Sequence, residues 1–220
     1  MDTPTTTTTT LPALPENYTT ALSLIDAAHA QDPRPSSSDD KVPFELDYAR
    51  KMSRWLAVRC PDASPALQLA CRAQHFRRWE IPRSTYPPTR GGYLTWRARL
   101  KARAAEEVGS LLEGINPPLG RDVIDKVARL IRKEGLGKGG EEDEGREVQV
   151  LEDVACLVFL DDQFEDFERR EDVDEDKIVG ILRKTWGKMS VQGRALALRL
   201  ELSERAGALV KRALEEGDAA

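Results

Sequence analysis

Val154-Ala155-Cys156-Leu157-Val158-Phe159-Leu160, seven apolar residues in a row, decides the fold class of this chain. A strand buried inside a parallel sheet reads this way, and so does a helix buried on more than one side. Two observations choose the helix. Helical spacing continues on both sides, from Val148 to about Phe167, well past the five or six residues of an ordinary strand. No second run of this kind exists for it to pair with. The segment is therefore read as a buried helix in an all-α protein.

Working outward, apolar residues at Ala21, Leu22, Leu24, Ile25 and Ala28 predict a first helix over 17–30, which the Asp32-Pro33-Arg34-Pro35 stretch ends. A flexible loop over 31–43 follows. Leu46, Ala49, Met52, Trp55 and Leu56 carry a second helix from Phe44 to the stop at Pro61. Ser64 as N-cap and Pro65 at the first helical position open a third, predicted to run to about Trp79. Its Leu67, Leu69, Ala70, Cys71, Ala73 and Phe76 surround much of the wheel, so it is expected at the centre of the fold. Further helices are predicted over 93–113, 121–134, 174–187, 191–200 and 203–216, with a second flexible, Gly-rich loop at 135–146. Seven to nine helices would then form one domain over 16–216, behind a disordered Thr/Pro-rich tail at 1–15.

Composition narrows the class. The 220 residues are 40% hydrophobic and 32% charged, the balance of a globular chain. No run approaches the roughly eighteen apolar residues that span a bilayer. The first thirty residues lack Lys and Arg, so no secretory or transit segment is read there. A cytoplasmic or nuclear protein without a membrane partner is expected. Cys60, Cys71 and Cys156 are too scattered for a disulfide framework or a zinc motif and are read as buried thiols. The net charge of −5 is unevenly spread: 45–103 holds 13 Lys/Arg against 4 Asp/Glu, and 141–176 holds 3 against 17. This suits a cationic pocket for an anionic small molecule, while the acidic half argues against nucleic acid.

On the third predicted helix, Gln68, Arg72, His75 and Trp79 fall on one stripe. His75, flanked by arginines, is biased toward its neutral form, ready to accept a proton or ligate a metal; a satisfied core histidine reads the same way. Glu152 and Asp153 precede the apolar run. They either need a cation or metal inside the fold, or sit in a first helical turn where the dipole favours acids. Arg97 and Lys101, one turn apart, could clamp a phosphate or lie on a solvated face. His29 ends its helix, where a His cation suits the dipole, and is given no function.

The strings Ala73-Gln74-His75-Phe76-Arg77-Arg78-Trp79-Glu80-Ile81-Pro82-Arg83, Leu151 to Leu160 and Leu182 to Ser190 resemble the DUF4202 family, a domain of unknown function, over roughly 18–200. Some of its members carry a glutamyl-tRNA synthetase label. The tripeptide Lys-Met-Ser occurs at 51–53 and 188–190, but no His-Ile-Gly-His-like element and no alternating strand–helix pattern accompany it, so synthetase activity is not expected.

More distantly, Phe44 to Pro82 resembles the opening of HD-type metal-dependent phosphohydrolases. Gln74-His75 stands in the His-Asp place, Asp153 in that of the late metal-binding Asp, and Glu45 or Tyr48 in that of the first His. The resemblance implies an HD-like hydrolase of a phosphorylated or otherwise anionic small molecule. His75, Glu152 and Asp153 would be its catalytic groups. Arg72, Gln74, Arg77, Arg78, Trp79, Arg97 and Lys101 would bind substrate, and His75, Asp153 and Glu45 are candidate ligands of a divalent metal. A non-catalytic ligand-binding or adaptor protein on the same scaffold stays open beside it.

Overall fold

The apolar run at 154–160 is helical, and the chain around it is all-α. The computed structural model describes residues 10–36, 39, 41–137, 143–164 and 174–215, and no strand occurs among them. They hold nine α-helices, two three-residue 3-10 turns (Arg78–Glu80 and Arg83–Thr85) and a five-residue π segment, slightly more helical elements than the seven to nine expected. The chain divides into two compact units, Met1–Glu134 and Gly135–Ala220.

In the first unit, helices α1 (Glu16–His29), α2 (Phe44–Arg59) and α3 (Pro65–Arg72) lead to α4 (Arg90–Glu113) and α5 (Arg121–Arg132). Two of the starts, those of α3 and α4, are fixed by side-chain caps. Ser64 Oγ accepts the Leu67 N–H at 3.2 Å with Pro65 at the first helical position, and Thr89 Oγ1 accepts the Gly92 N–H at 3.1 Å. Between α1 and α2 the chain doubles back on itself: the Ser36 N–H donates to Val42 O and the Phe44 N–H to Arg34 O, both at 2.8 Å.

Helix α3 packs against α1, α2 and α5, the central position its two-sided apolar wheel implied. Ile25, Met52, Leu56, Leu67, Leu69 and Val127 form the fully buried core around it. Helix α5 shows the clearest amphipathic pattern, burying Ile124, Val127, Leu130 and Ile131 on one face. Residues 1–9 of the expected tail lie outside the described residues. Pro12, from its remainder, accepts a hydrogen bond from Gln68 Nε2 at 3.3 Å.

One boundary is corrected. The helix expected to reach Trp79 stops at Arg72, and the chain then adopts left-handed backbone at His75 (φ 62°) and Arg77 (φ 48°). Gln68, Arg72, His75 and Trp79 therefore do not form a helical stripe.

The second unit comprises α6 (Asp143–Val158), which passes into the π segment Phe159–Gln163, then α7 (Glu175–Lys188), α8 (Val191–Ala197) and α9 (Glu204–Glu215). Helix α6 packs on α7 and α8, and α7 on α9. Val150, Leu151, Val154, Leu157, Val158 and Phe164 bury their side chains, so the apolar run supplies this unit's core. Asp174, Ser190 and Ser203 open the last three helices by accepting backbone N–H groups of Lys177, Gly193 and Ala206. The loop expected at 135–146 lies partly outside the described residues, and α6 begins within it. Among the described residues no helix is long and apolar enough to cross a membrane. The cysteines are free; Cys71 and Cys156 are buried as expected, whereas Cys60 is half-buried.

Candidate functional site

Residues 73–79 leave α3 as a series of tight turns. Arg78 N–H donates to His75 O at 3.0 Å and Glu80 N–H to Arg77 O at 3.2 Å. Two non-glycine residues in left-handed backbone cost about 1–3 kcal/mol each, a strain that persists only where the surroundings impose it. No Gly or Pro lies between Arg72 and Ile81 to mark this turn in the sequence.

The turn presents His75 and Arg78 together. The half-buried His75 ring stacks on Tyr48, centroids 4.1 Å apart and planes inclined by 12°. Arg78 Nη1 lies 2.8 Å from His75 Nε2. A guanidinium only donates, so Nε2 must accept and the imidazole proton sits on Nδ1. Burial, then the charges of Arg78, Lys133, Arg97 and His29, hold the His75 pKa well below the usual histidine range, giving the neutral ring expected from the flanking arginines.

Arg78 lies over the buried Trp96 ring at 4.7 Å, and Trp96 Nε1–H is fixed by Ile81 O at 2.8 Å. Arg78 makes no ion pair with a carboxylate among the described residues. Burial depresses its own pKa, Tyr48 opposes this, and Arg97 reinforces it. Arg97 donates to Tyr93 Oη at 3.1 Å and stays half-exposed, as does Lys101 one turn on.

The other predicted binders are engaged elsewhere. Arg72 forks onto Asp26 at 2.6 and 2.7 Å and reaches Ser53 Oγ at 3.0 Å. Gln74 Nε2 donates to Ala70 O at 3.2 Å. Arg77 turns toward Glu80 and Glu107, beside an open cleft of about 400 Å³ that Phe76, Arg99 and Arg103 also line. Arg103 is bridged there to both Glu80 and Glu107.

Beneath the turn lies a group of which the sequence reading had singled out only Glu45, as a candidate metal ligand, and not its partners His29, Asp32 and Arg34. Glu45 is buried: its Oε1 accepts the Trp79 backbone N–H at 3.1 Å and faces Arg34 Nη2 at 3.4 Å, and its Oε2 lies 3.5 Å from His29 Nδ1. His29, fully buried, places Nε2 2.9 Å from Arg72 O. Burial raises the Glu45 pKa, and His29 opposes the rise. Asp32 accepts the Glu45 backbone N–H at 3.1 Å and a forked pair from Arg34 at 2.9 and 2.8 Å; burial alone would raise its pKa, but Arg34 brings it below the usual carboxylate range. Helical spacing could not reveal His29, because what distinguishes it is a neighbour sixteen residues away on another helix.

Glu152 and Asp153 belong to the second unit. Helix α6 begins at Asp143, so neither occupies its first turn, and the dipole account of them does not hold. Asp153 is fully buried: its Oδ1 accepts Ser190 N–H at 2.8 Å and Gln149 Nε2 at 3.0 Å, and its Oδ2 accepts Ser190 Oγ at 2.5 Å. Glu152 faces Lys188 Nζ at 3.7 Å. In both Lys-Met-Ser tripeptides the Met is buried and the Lys meets a carboxylate, Asp47 at 2.7 Å for Lys51 and Glu152 for Lys188. These contacts explain both tripeptides as packing.

A divalent metal needs several converging oxygen or nitrogen donors. Among the described residues no group of three or more His, Cys, Asp or Glu side chains could hold one. Glu45 is directed at His29 and Trp79, and Asp153 at Ser190. The residues present do not fit the ion that the HD resemblance implied.

Residues 19–210 match the family model described as Domain of unknown function (DUF4202). No curated protein and no solved structure matches the chain.

Proposed function

The chain belongs to the DUF4202 family, and we propose that it binds an anionic small molecule, phosphorylated or carboxylated, at Arg78 and His75 in the first unit. The observation that carries this reading is Arg78 itself. Its guanidinium is half-buried and, among the described residues, has no carboxylate partner; it lies beside a histidine that stays neutral and within the positive field of Arg97 and Lys133. A cation drawn partly out of water without a counter-ion carries a desolvation cost. The Trp96 face offsets only about 0.5–2 kcal/mol of that. An oxyanion seated on the remaining guanidinium N–H groups would supply the missing charge through forked, charge-assisted bonds. His75 Nδ1–H, with no hydrogen bond among the described residues, is a further donor.

His75 also favours a second, catalytic reading. It is a neutral imidazole held in strained backbone, a combination that concentrates at reacting centres. As an enzyme the protein would hydrolyse a phosphorylated small molecule, with Arg78 binding the phosphoryl group and His75 exchanging the proton.

Titration calorimetry with inorganic phosphate tests the binding. Arg78→Gln, shown by circular dichroism to be folded, should bind at least about tenfold more weakly, the loss of one charge-assisted contact worth about 1.4 kcal/mol. Equal affinity in the two proteins would overturn the reading. Turnover of a chromogenic phosphomonoester, with a kcat lost in His75→Gln at saturating substrate, would mark an enzyme; phosphate binding by wild type without turnover would mark a ligand-binding protein.

A further inference from the structure

We infer that Glu45 and His29 are positioning residues: together they form a buried clamp that fastens both ends of the 72–79 turn and so sets the geometry of His75 and Arg78. The inference rests on the reading above for what those two residues bind, but not for how they are held.

The connection can be followed atom by atom. The Arg72 carbonyl can only accept, so His29 Nε2, 2.9 Å away, must carry a proton and donate it. That leaves His29 Nδ1 facing Glu45 Oε2 at 3.5 Å, and neither atom has another hydrogen-bond partner. One proton shared between them satisfies both, whichever of the two holds it. The other carboxyl oxygen, Oε1, accepts the Trp79 N–H. A continuous path thus runs from Arg72 O through His29 and Glu45 to Trp79 N, closing the loop that contains both left-handed residues. The side chains of His29 and Glu45 are 0% and 1% exposed, so water does not compete for these bonds.

The clamp is itself anchored. Asp32, just past α1, holds the Glu45 N–H at the start of α2, and Arg34 ties Asp32 to Glu45 Oε1. No Gly or Pro within 72–79 prescribes the turn. The strain at His75 and Arg77 is therefore imposed from outside the segment, and this clamp grips it at both ends.

Paired substitutions separate positioning from bulk stability. Gln at 45 can reproduce both contacts, its carbonyl accepting from Trp79 and its NH₂ donating to His29 Nδ1; Leu can reproduce neither. Gln at 29 can still donate to Arg72 O, and Leu cannot. In full-length protein, ring ¹⁵N spectra should show His75 as a fixed Nδ1–H tautomer in wild type, Glu45→Gln and His29→Gln. In folded Glu45→Leu and His29→Leu it should become an averaging, freely titrating imidazole, with inorganic phosphate binding at least tenfold weaker.

An unchanged His75 signature in the folded Leu variants would overturn the clamp, even if wild type binds phosphate. Failure of wild type to bind phosphate would remove the ligand reading and leave the His75 signature as a test of the clamp. Should the Leu variants not fold, amide exchange in wild type decides. Protection of the Trp79 N–H matching that of α2 supports the clamp, and exchange as fast as an exposed loop overturns it.

Discussion

His75 illustrates how one half-buried side chain can make folding depend on pH. An unfolded histidine titrates near 6.5. In the folded protein burial and the Arg78 charge hold the pKa far lower, so the folded state binds the proton less well. The contribution of His75 to stability is then complete above about pH 6.5 and is lost as the pH falls toward the depressed value. Thermal melts should show a midpoint that drops between pH 7 and 5, and a shallower drop in His75→Gln. Equal slopes would mean that another group governs the acid limb. Glu45 carries the opposite sign, because burial raises its pKa. Its contribution is present at low pH and is lost as the pH rises through the raised value, so Glu45→Gln should flatten the melting profile above the usual carboxylate range.

Among the elements, α8 shows how much depends on one carboxylate. Ser190 caps the helix and also donates twice to Asp153, while Gly193 lets the helix approach so closely that an added Cβ would lie 2.6 Å from Asp153 Cγ. Gly193→Ala should therefore destabilise the second unit by about 1–3 kcal/mol, the range for overpacking a tight core. Ser190→Ala should cost about 1–3 kcal/mol through the lost cap and the donor removed from a buried acid. Urea unfolding checks both, and a change within about 0.5 kcal/mol in Gly193→Ala would show that Asp153 shifts freely.

The same elements show what the sequence could disclose. Helix α5 was legible because its apolar residues fall on one face, and α3 began where Ser64-Pro65 placed it. The run at 154–160 was legible as helix because it had no sheet partner. The end of α3 was not, since Ala73 to Trp79 have ordinary helical propensity and the turn is imposed by His29 and Glu45 from other helices. Of the candidate site, His75 and its arginine neighbours were visible as a local string. The proposed set of metal ligands came instead from resemblance, and the donor geometry among the described residues does not support it.

For the whole molecule, charge decides which anions can bind. Residues 1–134 hold 20 Lys/Arg against 16 Asp/Glu, a formal +4, whereas 135–220 hold 13 against 22, a formal −9. A small oxyanion can respond to the local field of Arg78, Arg97 and Lys133. A polyanion must also meet the net charge of −5. Raising the salt from about 0.1 to about 1 M shortens the screening length from about 10 to about 3 Å, which weakens distant charges far more than a partly buried contact. Inorganic phosphate should accordingly bind with a shallow salt dependence, less than about tenfold across that range, because most of its attraction is direct contact with Arg78. Single-stranded RNA of twenty nucleotides should show no saturable binding at the lower salt in a fluorescence anisotropy titration. Tight RNA binding that collapses steeply with salt would reverse this assignment, because such a slope reports many phosphates neutralised along an extended basic surface rather than one anion held at a single arginine.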